Sequence, residues 1–143
     1  MSLPDYVQRR AEILAELFLR ELNPKFLAQA TFQGATWDYM AAFQTKAGRL
    51  INITVKVIAT EKPIPEEMIF VMSNKQANEI LNSNLPILIV VVDVKTNSIA
   101  CNWVSKATVS HSSRLNGDAR IRFPALKVDQ GTVGKLIFDI EKM

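Results

Sequence analysis

A chain of 143 residues is long enough for one ordinary hydrophobic core and short for two, so a single domain spanning residues 1–143 is expected. Apolar residues at 48% and charged residues at 22% exclude a mainly disordered chain. The formal charge of +3, from 17 Lys/Arg and 14 Asp/Glu, permits an anionic partner without demanding one, because nucleic-acid binding depends on how charge clusters in space.

Cys101 and His111 each stand alone, which excludes an intrachain disulfide and a zinc site built from Cys and His. No apolar run reaches the roughly 20 residues of a membrane-spanning helix, and the first residues lack a signal-peptide pattern. The expectation is a cytoplasmic protein without a membrane partner.

In chain order, Asp5 to Leu22 reads as an amphipathic helix, with Val7, Ala11, Leu14, Leu17, Phe18 and Leu22 recurring on one side. Asn23-Pro24 stops it, because Pro24 cannot sustain an interior helical bond and drives its predecessor from the helical region. Glu16 and Arg20 lie one turn apart and predict a surface pair. Phe26 to Phe32 is a polar-interrupted strand candidate, followed by a Gln33-Gly34-Ala35 turn. Trp37 to Phe43 and Leu50 to Ala59 are stronger strands joined by Thr45-Lys46-Ala47-Gly48-Arg49.

Glu61 to Glu67 reads as a loop and Met68 to Met72 as a short strand. Ser73 is the expected N-cap of a helix over Asn74 to Leu81; Glu79 is out of capping-box position, so half a box is predicted. Ile87 to Val94 lacks polar alternation, as a strand covered on both faces should, and Ser98 to Val104 is its expected antiparallel neighbour. Beyond, Ser110 to Asp118 reads as a loop, Ile121-Arg122-Phe123 as an edge strand, and Val133 to Ile140 as a strand or helical turn. The sum is an α/β domain with α+β character.

Strand side chains alternate faces, so Asn52, Thr54 and Lys56 share one face of the hairpin and Ile51, Ile53, Val55 and Val57 the other. Asp38 groups with Met40, Ala42 and Gln44, opposite Trp37, Tyr39, Ala41 and Phe43. With the turn centred on Ala47, Asp38 falls opposite Lys56 and Met40 opposite Thr54. A cross-strand ion pair accounts for Asp38 and Lys56 structurally; a chemical site would need a third group from elsewhere.

Ala11-Glu12-Ile13-Leu14-Ala15-Glu16, then Asp38, then Ile53-Thr54-Val55-Lys56, resembles the PD-(D/E)XK nuclease superfamily, and most closely its uncharacterised bacterial domain family DUF4365. In that family a helix acid precedes an acidic residue opening the second core strand, and the third strand carries Glu-x-Lys or Gln-x-Lys. A later helix leads into a Pro-initiated apolar strand and then a strand with a Tyr/Trp motif. Here Lys75 to Leu81, Pro86 to Asp93, and Asn102-Trp103-Val104 correspond, and the resemblance covers about residues 9–125.

The resemblance implies a restriction-endonuclease-like mixed β-sheet flanked by helices. It makes Glu12 the helix acid, Asp38 the central ligand of Mg²⁺ or Mn²⁺ and Lys56 the group that orients water. Thr54 stands where Glu or Gln is usual, and the Val55 carbonyl is a further candidate metal ligand. A neutral, short hydroxyl weakens a site for a hard cation. Ala11 and Ala35 also depart from glycines of the family pattern. Glu16 is an alternative to Glu12, one turn away.

Arg9, Arg10, Lys46 and Arg49 are either phosphate contacts or ordinary solvated charges; Arg114, Arg120 and Arg122 form a second candidate strip. Trp37 and Tyr39 read as core, with a place in a groove as the alternative, Trp103 as a base-stacking candidate, His111 as a loop residue, and Cys101 as a packed thiol. Three functions stay open: a nuclease-like domain with catalysis weakened or lost that contacts DNA or RNA, an active Mg²⁺- or Mn²⁺-dependent nuclease, and a protein-interaction module. An edge near Phe26 to Phe32 would allow a homodimer.

Overall fold

The computed structural model describes residues 5–30 and 36–143. Helix α1, Asp5–Glu21, buries Val7, Ala11, Ala15, Phe18 and Leu19. Its small alanines let the helix lie close on a sheet, and Asn23 turns left-handed at φ 57° before Pro24. A meander follows: β1 (Phe26–Gln29), β2 (Tyr39–Gln44) and β3 (Leu50–Thr60), each antiparallel to the next. β1 is shorter than the expected Phe26 to Phe32; the end of that strand and the Gln33-Gly34-Ala35 turn lie outside the described residues.

The β2–β3 turn is closed by Gly48 N–H to Thr45 O (2.9 Å) and Thr45 N–H to Arg49 O (2.8 Å), with Gly48 at φ 86°. A type I turn followed by a left-handed residue is a standard three-residue hairpin loop, and Gly occupies that last position without strain. The turn sets the register: Met40 pairs with Thr54 and Tyr39 with Val55, as the centring on Ala47 predicts.

After β3 come β4 (Glu67–Ser73), α2 (Asn74–Asn82) and β5 (Ile87–Asp93), and β5 runs parallel to β3. β6 (Ser98–Val104) is antiparallel to β5. The remaining elements are α3 (Lys106–Ser110), β7 (Ser113–Leu115), β8 (Asp118–Pro124), β9 (Leu126–Lys127) and α4 (Thr132–Glu141). They complete a six-stranded mixed sheet, β1-β2-β3-β5-β6-β9, and a three-stranded sheet, β4-β8-β7.

Four expectations change. The cap of α2 is a complete capping box, because Gln76 supplies the second half: Gln76 N–H donates to Ser73 Oγ at 3.1 Å and Ser73 N–H donates to Gln76 Oε1 at 3.3 Å. The expected loop at Ser110 to Asp118, which starts on the last residue of α3, forms the β7–β8 hairpin, whose turn places Asn116 at φ 50° and Gly117 at φ 84°. Ile121-Arg122-Phe123 lies in the middle strand of the small sheet, not at an edge. The terminal segment is a helix, since Val133, Leu136 and Ile140 repeat at helical spacing and pack on the sheet.

The large sheet separates two cores. On one face α1 and α4 cover Tyr39, Ala41, Phe43, Ile53, Val55, Leu88, Val90 and Val92. On the other, α2, α3 and the small sheet cover Ile87, Ile89 and Val91 with Met72, Ile80, Val109, Ile121 and Phe123. Substituting Ser73→Ala removes the oxygen that accepts the Gln76 N–H and is expected to lower stability by about 1 kcal/mol in urea unfolding.

Candidate functional site

Asp38 stands just before β2, where the chain leaves the ladder. The Val57 N–H, whose ladder position faces Trp37, is accepted instead by Asp38 Oδ2 at 2.7 Å, while the Asp38 N–H donates to Val55 O at 2.9 Å. The same carboxylate oxygen lies 3.5 Å from Lys56 Nζ, with the Asp38 and Lys56 side chains 17% and 24% exposed. The predicted juxtaposition of Asp38 and Lys56 is therefore formed. Trp37 breaks the expected alternation: it packs in the core beneath the small sheet, not with Tyr39, because regular strand geometry begins only at Tyr39.

Thr54 is 1% exposed. Its hydroxyl donates to Pro86 O at 3.2 Å, and its N–H donates to the same carbonyl at 3.0 Å. Thr54 thus serves the junction at which β5 joins β3.

Glu12 belongs to the α1 side of the sheet, opposite the face that carries Lys56. Its carboxylate accepts from Gln29 Nε2 at 3.1 Å and from Gln8 Nε2 at 3.4 Å, and lies 3.6 Å from Arg9. Its backbone carbonyl accepts from the Tyr39 hydroxyl at 3.1 Å. Among the described residues no hydrogen bond or ion pair joins Glu12 to Asp38 or Lys56. Glu16 pairs with Arg20 at 3.5 Å, the surface pair that their spacing predicts. Burial, then the neighbouring Glu16 and Glu12, push the Tyr39 phenol from 10.0 up to about 12. Burial pushes the Cys101 thiol from 9.0 up to about 11, in keeping with a packed thiol.

The basic residues are dispersed. Arg9 also reaches Gln29 Oε1 at 3.4 Å, and Arg10 bonds Asn97 Oδ1 at 2.7 Å and Val94 O at 3.3 Å, at the β5–β6 turn. Lys46 donates its backbone N–H to the Glu141 carboxylate, and the Arg49 guanidinium bonds the Met143 carbonyl. The hairpin tip is thereby fastened to the C-terminal end of α4, away from Asp38. Arg120 and Arg122 share the outer face of β8, with Arg122 paired to Glu67 at 3.2 Å, while Arg114 bonds Asn74. Trp103 donates its indole N–H to Asp139 at 2.9 Å, and His111 Nδ1 bonds Ala107 O at 2.7 Å.

The donor set does not fit a divalent metal. Beside Asp38 stand an ammonium and a backbone N–H, and the Thr54 hydroxyl is bonded to Pro86 O instead, whereas Mg²⁺ or Mn²⁺ requires oxygen donors around it. The Val55 carbonyl accepts the Asp38 N–H, and the Glu12 carboxylate is taken up by Gln29, Gln8 and Arg9. Among the described residues no group of three His, Cys, Asp or Glu could hold a metal ion. No family model, no curated protein and no solved structure matches the chain.

Asp38 holds both a ladder N–H and Lys56, so the two partners are unequal. Asp38→Ala leaves the Val57 N–H unpaired and is expected to cost about 2 kcal/mol. Lys56→Met keeps that bond and is expected to cost about 1 kcal/mol or less by the same urea measurement. At high pH the unfolded chain loses its thiol and phenol protons before the folded chain does, so stability should decline above pH 9 through Cys101 and above pH 10 through Tyr39. Cys101→Ala should remove the earlier step in melting curves taken from pH 8 to 12.

Proposed function

We propose that this chain is a nuclease-like domain that does not hydrolyse phosphodiesters and whose partners are nucleic acids. The order α1, β1-β2-β3, α2, β5, β6 supports the restriction-endonuclease-like reading: an acid helix, an acid at the head of the second strand, a lysine on the third, and a Pro-initiated apolar strand in turn. The observation that carries the loss of hydrolysis is the state of Thr54. A buried hydroxyl bonded to Pro86 O stands at the strand position where the resemblance calls for a carboxylate or amide, and Lys56 neutralises Asp38. Nucleic acid as the partner is supported by the net positive charge and by the exposed Arg9 and Arg10 on α1.

The expected result is no cleavage of single- or double-stranded DNA or RNA with Mg²⁺ or Mn²⁺, and oligonucleotide binding that weakens as salt rises. Cleavage that disappears in both Asp38→Ala and Lys56→Ala would overturn the loss of hydrolysis; equal affinity for heparin would overturn nucleic acid as the partner. Thr54→Glu buries a carboxylate and should destabilise the metal-free chain. Stability that recovers on adding Mn²⁺ would support Thr54 as the vacated ligand position.

A further inference from the structure

The spacing of apolar residues along α1 puts Leu17 on the buried side, yet Leu17 is 59% exposed. Tyr6 and Ile13 are exposed as well, at 73% and 49%. At about 100° per residue these three fall within about 40° of one another around the helix, nearly opposite the buried Ala11, Ala15 and Phe18. They form an apolar stripe that faces away from the sheet. Arg10 completes the row: its guanidinium is turned aside to Asn97 Oδ1 and Val94 O, which leaves its aliphatic stem beside Ile13. Phe138 on α4 is also exposed, but the Lys142 ammonium lies over its ring at 4.9 Å.

Tyr6, Arg10, Ile13 and Leu17 follow at steps of four, three and four residues, the alternation that keeps two helices in contact over several turns. The steps read the same in both directions, so the seam complements itself when one helix is reversed. Across a two-fold axis, residue i meets j wherever j meets i. Tyr6 then packs against the partner's Leu17, and Arg10 against the partner's Ile13. The row flanking the seam agrees with this alignment, because it brings Arg9 beside the partner's Glu16 and Glu16 beside the partner's Arg9. Both side chains are accessible, at 62% and 37% exposed, and their ion pairs within the helix, with Glu12 and Arg20, are long at 3.6 and 3.5 Å. A parallel pair would instead set Arg10 against the partner's Arg10 inside the seam, a like-charge contact.

We propose that a second copy of this chain docks antiparallel on the outer face of α1, forming a two-fold homodimer through Tyr6, Ile13 and Leu17. Roughly three helical turns bury less than the ~800 Å² per partner of a standard interface, so the dimer is weak, with a Kd on the order of 100 µM. The inference does not depend on nucleic-acid binding. Arg9 belongs to both surfaces, so each α1 serves one partner at a time.

The test is sedimentation equilibrium of the full chain from about 10 µM to about 1 mM, over which the mass should rise from 16.0 kDa toward its double. Combining Ile13→Gln with Leu17→Gln replaces two exposed side chains and no cation. It should weaken association by at least about tenfold and leave urea unfolding and oligonucleotide affinity unchanged. In a Cys101→Ala background, Tyr6→Cys combined with Leu17→Cys should form disulfide-linked dimers under copper–phenanthroline at least about fivefold faster than either cysteine alone. A chain that stays monomeric throughout, association that survives the two glutamines, or equally fast cross-linking through Leu17→Cys alone would each overturn the proposal. Monomer that co-sediments with phosphatidylcholine–phosphatidylglycerol vesicles would assign the stripe to a lipid surface instead.

Discussion

Strand β5 is the constraint on which the other elements depend. All seven of its residues are buried, and its alternating faces feed two different cores: Leu88, Val90 and Val92 toward α1 and α4, Ile87, Ile89 and Val91 toward the second layer. A strand with no polar face must be central, and because it runs parallel to β3 it cannot be reached by a hairpin. The crossover through β4 and α2 meets that requirement. β4 then gives β8 something to pair with, so the small sheet follows from the parallel placement of β5.

The same constraint explains Thr54 better than a lost reaction does by itself. Thr54 is paired with Ile87 at the start of the parallel ladder, and two of its groups donate to the Pro86 carbonyl. A carboxylate there would bring an acceptor, not a donor, against a carbonyl in a buried position, at a cost of several kcal/mol. Asp38 is likewise committed locally: with Trp37 withdrawn into the second core, its carboxylate replaces a backbone acceptor for the Val57 N–H. Thr54 and Asp38 are thus both employed in closing strand junctions of the large sheet.

Several features were legible because their causes are local. The turn residues Thr45 to Gly48 determine the β2–β3 register, so the facing of Asp38 and Lys56 follows from residue spacing alone. The unbroken apolar run at Ile87 to Val92 identified the central strand. Gln76 three residues after Ser73 and the Asn116-Gly117 pair were equally local signals; a capping box closes with Gln as well as Glu, and Asn-Gly between short strands marks a hairpin even in a polar stretch. Gly131 and Gly134 hid α4, whose helical form is stabilised by packing of Val133, Leu136 and Ile140 and not by propensity.

Sequence alone determined the alternation of faces along the hairpin, the extent of α1 and the buried character of β5, because each depends on residue spacing along a few turns or strands of chain. Only the tertiary structure decided that Glu12 lies on the face opposite Lys56, that Trp37 changes sides, and that β8 sits between β4 and β7. Those outcomes depend on which sheet face each distant segment covers, and packing between segments far apart in the chain settles that choice.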